Sequence, residues 1–191
     1  MNRRDAVLAA IDAANAHDPN RETDGDRETP AAELYGQRMS LVLSEFDPAP
    51  SDALQIAVRG QHIERWKRPR ADYPEGRTGY LQWRRDAAIF HARRVADIMT
   101  AEGYDDDTCA RVGTLIRKVA IKSDPEAQTL EDVAALVFMR WYVLPFASGR
   151  TDEELFPIVQ KTAKKMSARG RAAALRLALP AALIPAITEA G

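Results

Sequence analysis

Apolar residues recur every three or four positions along most of the chain, and this spacing constrains the fold more than any other feature. A period near 3.6 places such residues on one side of an α-helix, whereas a half-buried strand alternates apolar and polar residues. The sequence contains no clear alternating run and no internal repeat. We therefore predict an all-α fold, a compact bundle of about seven to nine helices. The clearest apolar stripes are Val7, Leu8, Ile11 and Ala14; Leu34, Leu41, Val42 and Phe46; and Val112, Leu115, Ile116 and Val119.

Turn and capping residues divide this helical pattern into segments. The polar, acidic stretch from Asp18 to Thr29 is predicted to be a surface loop, and Pro30 opens the second helix. Ser51 caps a third helix that runs to about Trp66. Later helices are predicted from about Tyr80 to Glu102, from Asp105, from Thr129 to Phe146 and from the capping box at Thr151, with one or two short helices after Ser167.

Composition excludes several classes of protein. The 191 residues are 46% apolar and 29% charged, which is typical of a globular chain, and we expect a single domain over residues 1–191. The only cysteine is Cys109, so an intrachain disulfide and a cysteine-rich zinc site are both excluded. A net charge of −1 excludes a protein that binds nucleic acid through total charge alone.

The first residues superficially suggest a signal peptide, because Arg3 and Arg4 precede an apolar stretch. Asp5 and Asp12 interrupt that stretch, so we predict an amphipathic helix that stays on the protein. No apolar run approaches the length of a membrane span. We therefore expect a cytoplasmic protein without a membrane partner, whose oligomeric state the sequence leaves open.

Charge is distributed unevenly along the chain. The stretch from Arg59 to Arg94 contains ten basic and four acidic residues, a net charge of +6 within a nearly neutral protein. Such a local positive field suits a phosphate, a carboxylate or a nucleic-acid backbone. Four interleaved aromatic residues could stack on a base or on an arginine: Trp66, Tyr73, Tyr80 and Trp83. Alternatively, these arginines only solvate helix faces and pair with acidic residues elsewhere. The predicted loop from Lys67 to Gly79 is long enough to close over a substrate.

Three polar residues share helix faces with apolar ones and are predicted to point inward. They are His62, His91 and Asp132, on three different helices. Burying them unpaired would be costly, so one solution is that they meet, around a divalent metal or as acid–base groups. The plainer alternatives are that the histidines are satisfied core residues and that Asp132 supports a helix cap begun by Thr129.

Two lysines, Lys118 and Lys122, lie four residues apart near the end of the predicted fifth helix. Lysines at this end of a helix stabilise its dipole. They could also face the same pocket as the histidines.

Several motifs resemble the bacterial and fungal family DUF4202, whose name implies no activity. The resemblance extends from Asp18 to Lys164. It is carried by the strings LYGQRM (34–39), QHIERW (61–66), YPEGRTGYLQWR (73–84), FHA (90–92) and QTLEDVAALVF (128–138).

The order of these motifs is also similar to that of HD-domain phosphohydrolases, in which histidines and aspartates hold metals that activate water. This resemblance implies that His62 matches the histidine of the His-Asp pair, Asp132 the distal aspartate and His91 an accessory histidine. Ile63 stands where the paired aspartate belongs, and Gln37 or Arg38 where the first histidine belongs. Two metal ligands of that family are thus missing.

These observations support two hypotheses. In the first, the chain is a divergent metal-dependent phosphohydrolase that acts on a phosphorylated or nucleotide-like small molecule, with His62, His91 and Asp132 as catalytic and metal-binding residues. In the second, it is a non-catalytic module that binds a small anion or RNA. In both, the predicted ligand-binding residues are Arg38, Gln61, Arg65, Arg70, Arg77, Trp83, Arg84, Lys118 and Lys122.

Overall fold

The computed structural model describes residues 2–119, 121 and 123–190, and these residues confirm the all-α prediction. The chain divides into two compact units, residues 1–119 and 120–191. Each unit has its own set of buried apolar side chains. The single domain expected over residues 1–191 stays a prediction. Among the described residues, no helix combines the length and apolarity needed to cross a bilayer.

The first unit is built around a short buried helix. Its helices are α1 (Arg3–Asn15), α2 (Ala31–Phe46), α3 (Asp52–Gly60), α4 (Gly76–Ala101) and α5 (Asp106–Ile116). Helix α3 contacts the other four, and α4 and α5 pack on each other. The buried face of α3 carries Leu54, Ile56, Ala57 and Val58, which are almost completely shielded from solvent. The end of α3 is therefore held firmly where the candidate site begins.

The predicted surface loop after α1 is wrong in part, because it contains a β-hairpin. Strands β1 (Arg21–Asp24) and β2 (Arg27–Pro30) pair antiparallel around a two-residue turn. The two turn residues are Gly25 and Asp26, and Gly25 has a φ of 62°, so the Gly25-Asp26 pair is the local signal for this hairpin. Both strands contact α2.

Two helix boundaries around the basic stretch also differ from the prediction. Helix α3 ends at Gly60 rather than near Trp66, and α4 begins at Gly76 rather than near Tyr80. A Cβ atom on Gly60 would lie 2.5 Å from Cγ2 of Val95, so glycine is needed for the close approach of α3 to α4. Two short 3-10 turns, Arg65–Lys67 and Arg70–Asp72, fill the interval between these helices.

Other local predictions are confirmed by cap geometry. The Ser51 hydroxyl accepts from the backbone N–H of Leu54, and the Asp105 carboxylate accepts from that of Thr108. Gly103 follows α4 with a φ of 78°, and Thr151 begins a complete capping box. These side-chain signals act within three or four residues, which is why sequence alone locates them.

The second unit contains α6 (Pro125–Val137), a π-helical segment (Phe138–Tyr142), α7 (Val143–Ala147), α8 (Asp152–Ala163), α9 (Ala168–Ala174), a 3-10 turn (Ala181–Leu183) and α10 (Ile184–Thr188). Helix α6 begins before Thr129 because Asp124 caps it and Pro125 occupies its first turn. The Thr129 hydroxyl instead donates to the Pro125 carbonyl. The alternative in which Thr129 caps the helix that carries Asp132 is therefore wrong.

Candidate functional site

The turn after α3 brings two of the predicted histidines together in the first unit. Ile63 is fully buried there, and its carbonyl oxygen accepts a 2.7 Å hydrogen bond from Nδ1 of His91 on α4. This bond ties the turn to α4. The ring centroids of His62 and His91 consequently lie 5.8 Å apart.

The hydrogen bonds of both imidazoles define which nitrogen carries the proton. A carbonyl can only accept, so His91 holds its proton on Nδ1 and presents a lone pair at Nε2. An arginine can only donate, so His62 Nε2 accepts from Nη1 of Arg65 at 3.0 Å. The neutral form of His62 therefore carries its proton on Nδ1.

Both imidazoles are kept neutral by their surroundings. Burial lowers the pKa of His62 well below 6.5, and the nearby positive charges of Arg65, Lys118 and Arg84 lower it further. Burial also lowers the pKa of His91, to about 4, although its bond to the Ile63 carbonyl acts in the opposite direction. At neutral pH neither histidine contributes a charge.

Tyr35 and Gln61 complete the surroundings of His62. The Tyr35 ring stacks on His62 with centroids 4.6 Å apart and an angle of 21° between the planes. The side-chain amide of Gln61 donates to the Tyr35 hydroxyl at 3.2 Å and lies 3.4 Å from His62 Nε2. Tyr35 was not among the predicted site residues, although it lies within one of the motifs that carry the family resemblance.

Arg65 is the cation nearest to this group, and it is held in place by Trp83. The guanidinium lies over the indole ring, 4.8 Å from its centroid, and the indole N–H is itself anchored to the Arg68 carbonyl at 2.8 Å. Burial lowers the pKa of Arg65, as does the charge of Arg84. We name Tyr35, Gln61, His62, Arg65, Arg84 and His91 the Arg65 cluster.

No carboxylate among the described residues lies within ion-pair distance of Arg65 or Arg84. Many other cations of the first unit are matched. Arg59 makes two hydrogen bonds of 2.6–2.7 Å to Asp12, and Glu64 forms ion pairs with both Lys67 and Arg94. Four of the ten basic residues in the stretch pair with a carboxylate in the described part of the chain, so the alternative in which arginines pair with acidic residues describes part of the stretch but not the Arg65 cluster.

The backbone next to the cluster adopts an uncommon conformation at two positions. Glu64 and Lys118 have φ values of 51° and 55°, in the left-handed region, and no other non-glycine residue in the described ranges has a positive φ. Glu64 follows His62 by two residues, and the Lys118 charge acts on His62. Such conformations cost free energy and concentrate at functional sites.

The remaining predicted ligand-binding residues have other surroundings. Arg38 is buried and forms two 3.0 Å ion pairs with Glu22 and Asp24 of the hairpin. Arg70 donates to two backbone carbonyls of the loop between α3 and α4. Arg77 is exposed in the first turn of α4, and Lys122 lies outside the described residues.

Asp132 belongs to the second unit, where its carboxylate accepts three hydrogen bonds. Oδ1 accepts from the side-chain amide of Gln128 at 3.1 Å and from the backbone N–H of Ser167 at 2.8 Å, and Oδ2 accepts from the Ser167 hydroxyl. Gly170 packs so closely that an added Cβ would lie 2.5 Å from Oδ1. Burial raises the pKa of Asp132, while the Ser167 bonds act to lower it. Asp132 thus links α6 to the beginning of α9.

The metal centre predicted from His62, His91 and Asp132 stays a prediction, but the local surroundings of these side chains do not favour a metal ion. Within the described ranges, no group of three or more histidine, cysteine, aspartate or glutamate side chains is arranged to hold a metal ion. Three cations act on His62, and the oxygens of Asp132 already accept three hydrogen bonds. Positive surroundings and occupied lone pairs both oppose cation binding.

The chain belongs to the DUF4202 family, a domain of unknown function, and the match covers residues 5–187. Comparison with curated proteins and comparison with solved structures give no match. Family membership therefore names no activity.

Proposed function

We propose that this DUF4202 domain binds a small phosphate-bearing anion at the Arg65 cluster. The observation that carries the proposal is the half-buried guanidinium of Arg65, which has no carboxylate partner among the described residues. A charge withdrawn from water needs a counter-charge, and the first unit supplies one to Arg59 but none to Arg65. An anionic ligand would supply it.

The arrangement of charge supports phosphate in particular. Arg65 uses one nitrogen for His62, which leaves further N–H groups of its planar fork for a second acceptor. The charges of Arg65, Arg84 and Lys118 all act on His62, so the field around that ring matches an anion with more than one negative charge. The histidines stay neutral and contribute hydrogen-bonding atoms instead.

A calorimetric titration with inorganic phosphate, at neutral pH and low ionic strength, tests this proposal. Arg65→Met should weaken phosphate binding by about tenfold or more, because a hydrogen bond to a charged group is worth about 1.5–3 kcal/mol. Arg84→Gln should weaken it less, since Arg84 is exposed. Wild-type phosphate affinity in Arg65→Met would contradict the proposal.

The chain offers a matched control one position away. Arg85 is also exposed on α4, but its Nε lies 3.3 Å from a carboxylate oxygen of Asp86. Arg85→Gln removes the same formal charge as Arg84→Gln and should leave phosphate affinity unchanged. Equal losses in the two variants would mean that phosphate responds only to total charge.

RNA is the alternative ligand for the basic stretch. RNA binding predicts that affinity for a single-stranded oligonucleotide exceeds that for phosphate and falls steeply with salt. It also predicts that Arg84→Gln and Arg85→Gln weaken oligonucleotide binding alike, because backbone contacts spread over exposed cations. The phosphate proposal predicts a difference between the two variants.

A divergent HD-like phosphohydrolase is a second candidate, favoured by the two neutral imidazoles 5.8 Å apart. It predicts a stoichiometric divalent metal in protein purified without a metal-affinity tag, and loss of that metal in His62→Ala. The cations around His62 disfavour it. Binding of inorganic phosphate by metal-free protein would favour the anion-binding proposal.

A further inference from the structure

We infer that the anion bound by the Arg65 cluster is a phosphate monoester whose organic part carries hydroxyl groups, and that these hydroxyls donate hydrogen bonds to His91 Nε2 and Gln61 Oε1. The inference rests on the proposed function and specifies the class of ligand.

His91 supplies the first acceptor. Its side chain is only 2% exposed, and Nδ1 is committed to the Ile63 carbonyl. Nε2 must therefore be the lone-pair nitrogen, and it has no hydrogen-bond partner among the described residues. Buried polar atoms are nearly always paired, so an acceptor left over beside a cation-rich cluster indicates a donor supplied from outside the chain.

Gln61 supplies the second acceptor. Its side chain is 5% exposed, and its amide nitrogen faces the Tyr35 hydroxyl and His62 Nε2. Because His62 Nε2 accepts from Arg65, the amide atom that faces it must be a donor, which fixes the orientation of the amide. Gln61 Oε1 is then a buried acceptor without a partner in the described part of the chain.

The phosphate group cannot satisfy these two acceptors. The second pKa of a phosphate monoester is about 6, so at neutral pH the group is mainly a dianion that only accepts hydrogen bonds. It complements Arg65 and Arg84, which only donate, but offers nothing to His91 Nε2 or Gln61 Oε1. Two separate donors are needed, and a polyol provides them.

The neutral state of His91 is compatible with this role over a wide pH range. With a pKa of about 4, its Nε2 lone pair remains available throughout the neutral range. The Tyr35 ring stacked on His62 and the Trp83 indole beneath Arg65 add flat apolar surfaces against which the C–H groups of a sugar can pack.

Two probes of the same charge test the inference. Ribose 5-phosphate and n-butyl phosphate are both monoesters, but only the first carries hydroxyls. Calorimetry on the wild-type protein should give a Kd for ribose 5-phosphate about tenfold or more below that for n-butyl phosphate, as expected for two additional buried hydrogen bonds.

Two variants remove the acceptors separately. His91→Asn retains an N–H for the Ile63 carbonyl but lacks the Nε2 acceptor, and Gln61→Met retains the length of the side chain without its oxygen. In each variant the preference for ribose 5-phosphate over n-butyl phosphate, measured as the ratio of their Kd values, should shrink several-fold, because only ribose 5-phosphate loses a hydrogen bond. Circular dichroism verifies that each variant is folded. If only one of the two variants folds, its result alone tests the inference.

The outcomes separate this inference from the proposed function. If both probes bind with equal affinity and Arg65→Met weakens both, the anion site stands and the hydroxyl preference is refuted. If the preference exists but survives in both variants, the hydroxyls contact other atoms and the inference is refuted. If neither probe binds, the proposed function fails as well.

Discussion

Two buried polar clusters, one in each unit, differ in how completely the chain satisfies them. Around Asp132, three donors from Gln128 and Ser167 meet the two carboxylate oxygens. In the Arg65 cluster, two acceptor atoms have no hydrogen-bond partner among the described residues, and the Arg65 guanidinium, which donates to His62, has no carboxylate partner among them. A cluster that is satisfied internally contributes stability, whereas one that retains unused donors and acceptors is suited to a ligand. We therefore expect Asp132 mainly to stabilise the fold, and the unused acceptors near Arg65 support the proposed ligand site there.

The largest effect should follow removal of the Asp132 carboxylate. Asp132→Ala leaves the N–H and hydroxyl of the half-buried Ser167 and the amide of Gln128 without this acceptor, and we expect the free energy of unfolding to fall by about 3 kcal/mol or more. Urea denaturation measures this change. Phosphate affinity of the folded variant should equal that of the wild type.

Ser167→Ala is the partner variant for this prediction. It removes the hydroxyl but keeps the backbone N–H, so its cost should be smaller, and the double variant should be less destabilised than the sum of the two. If Asp132→Ala has normal stability but no longer binds phosphate, the prediction is contradicted, and Asp132 acts in ligand binding rather than in stabilising the fold.

Acid should destabilise the first unit through His91. Its pKa is 6.5 in the unfolded chain and about 4 in the folded one, so the unfolded state takes up a proton first as the pH falls. The contribution of neutral His91 to the free energy of unfolding is therefore fully present above pH 6.5 and is lost as the pH falls to 4. The loss is about 3 kcal/mol, at 1.36 kcal/mol per pKa unit. The pKa of Asp132 is raised, so its contribution has the opposite sign: it is largest in acid and is lost as the pH rises.

Urea denaturation of the wild type and of His91→Asn at a series of pH values isolates the histidine contribution. The asparagine does not titrate, so the difference in unfolding free energy between the two proteins should change by about 3 kcal/mol across this range. A difference that is independent of pH would show that His91 is not held neutral by burial.

Arg59 and Arg65 allow the comparison to be tested with one residue type inside one unit. Arg59→Met leaves Asp12 without its two hydrogen bonds, and we expect a loss of about 2 kcal/mol of stability with unchanged phosphate affinity. Arg65→Met removes a charge that no carboxylate matches, together with the donor to His62 Nε2, so we expect a smaller loss of stability than in Arg59→Met and a loss of phosphate affinity. Thermal unfolding measures the stability of both variants, and calorimetry measures their affinity for phosphate. Similar profiles for the two variants would remove the distinction between matched and unmatched cations.

Most helices and caps could be predicted because their signals are local. Ser51, Asp105 and Thr151 each bind backbone within three residues. The hairpin was missed because its strands are only four residues long and mostly exposed, which leaves only the Gly25-Asp26 turn as a signal. The end of α3 depends on the contact between Gly60 and Val95, which no local pattern reports.

The site was only partly predictable for the same reason. The apolar faces of the helices correctly placed His91 and Asp132 in the interior. Sequence could not reveal that Asp132 is satisfied by Ser167, 35 positions later. Nor could it distinguish Arg38, which reaches acidic residues through the hairpin, from Arg65, which does not. Pairing of charges is a long-range property.

The smallest effect concerns Lys118, whose backbone lies in the left-handed region just after α5. Glycine is favoured at such a position, so Lys118→Gly should raise the free energy of unfolding by about 0.5–1 kcal/mol. It also removes a charge that acts on His62, and phosphate affinity should fall several-fold. Arg117→Gly, at the preceding residue with a helical φ of −75°, is the control and should be destabilised instead. Opposite changes in stability and affinity in Lys118→Gly would mean that the lysine is retained for the anion site despite its backbone cost. A gain in stability with unchanged affinity would remove Lys118 from the site.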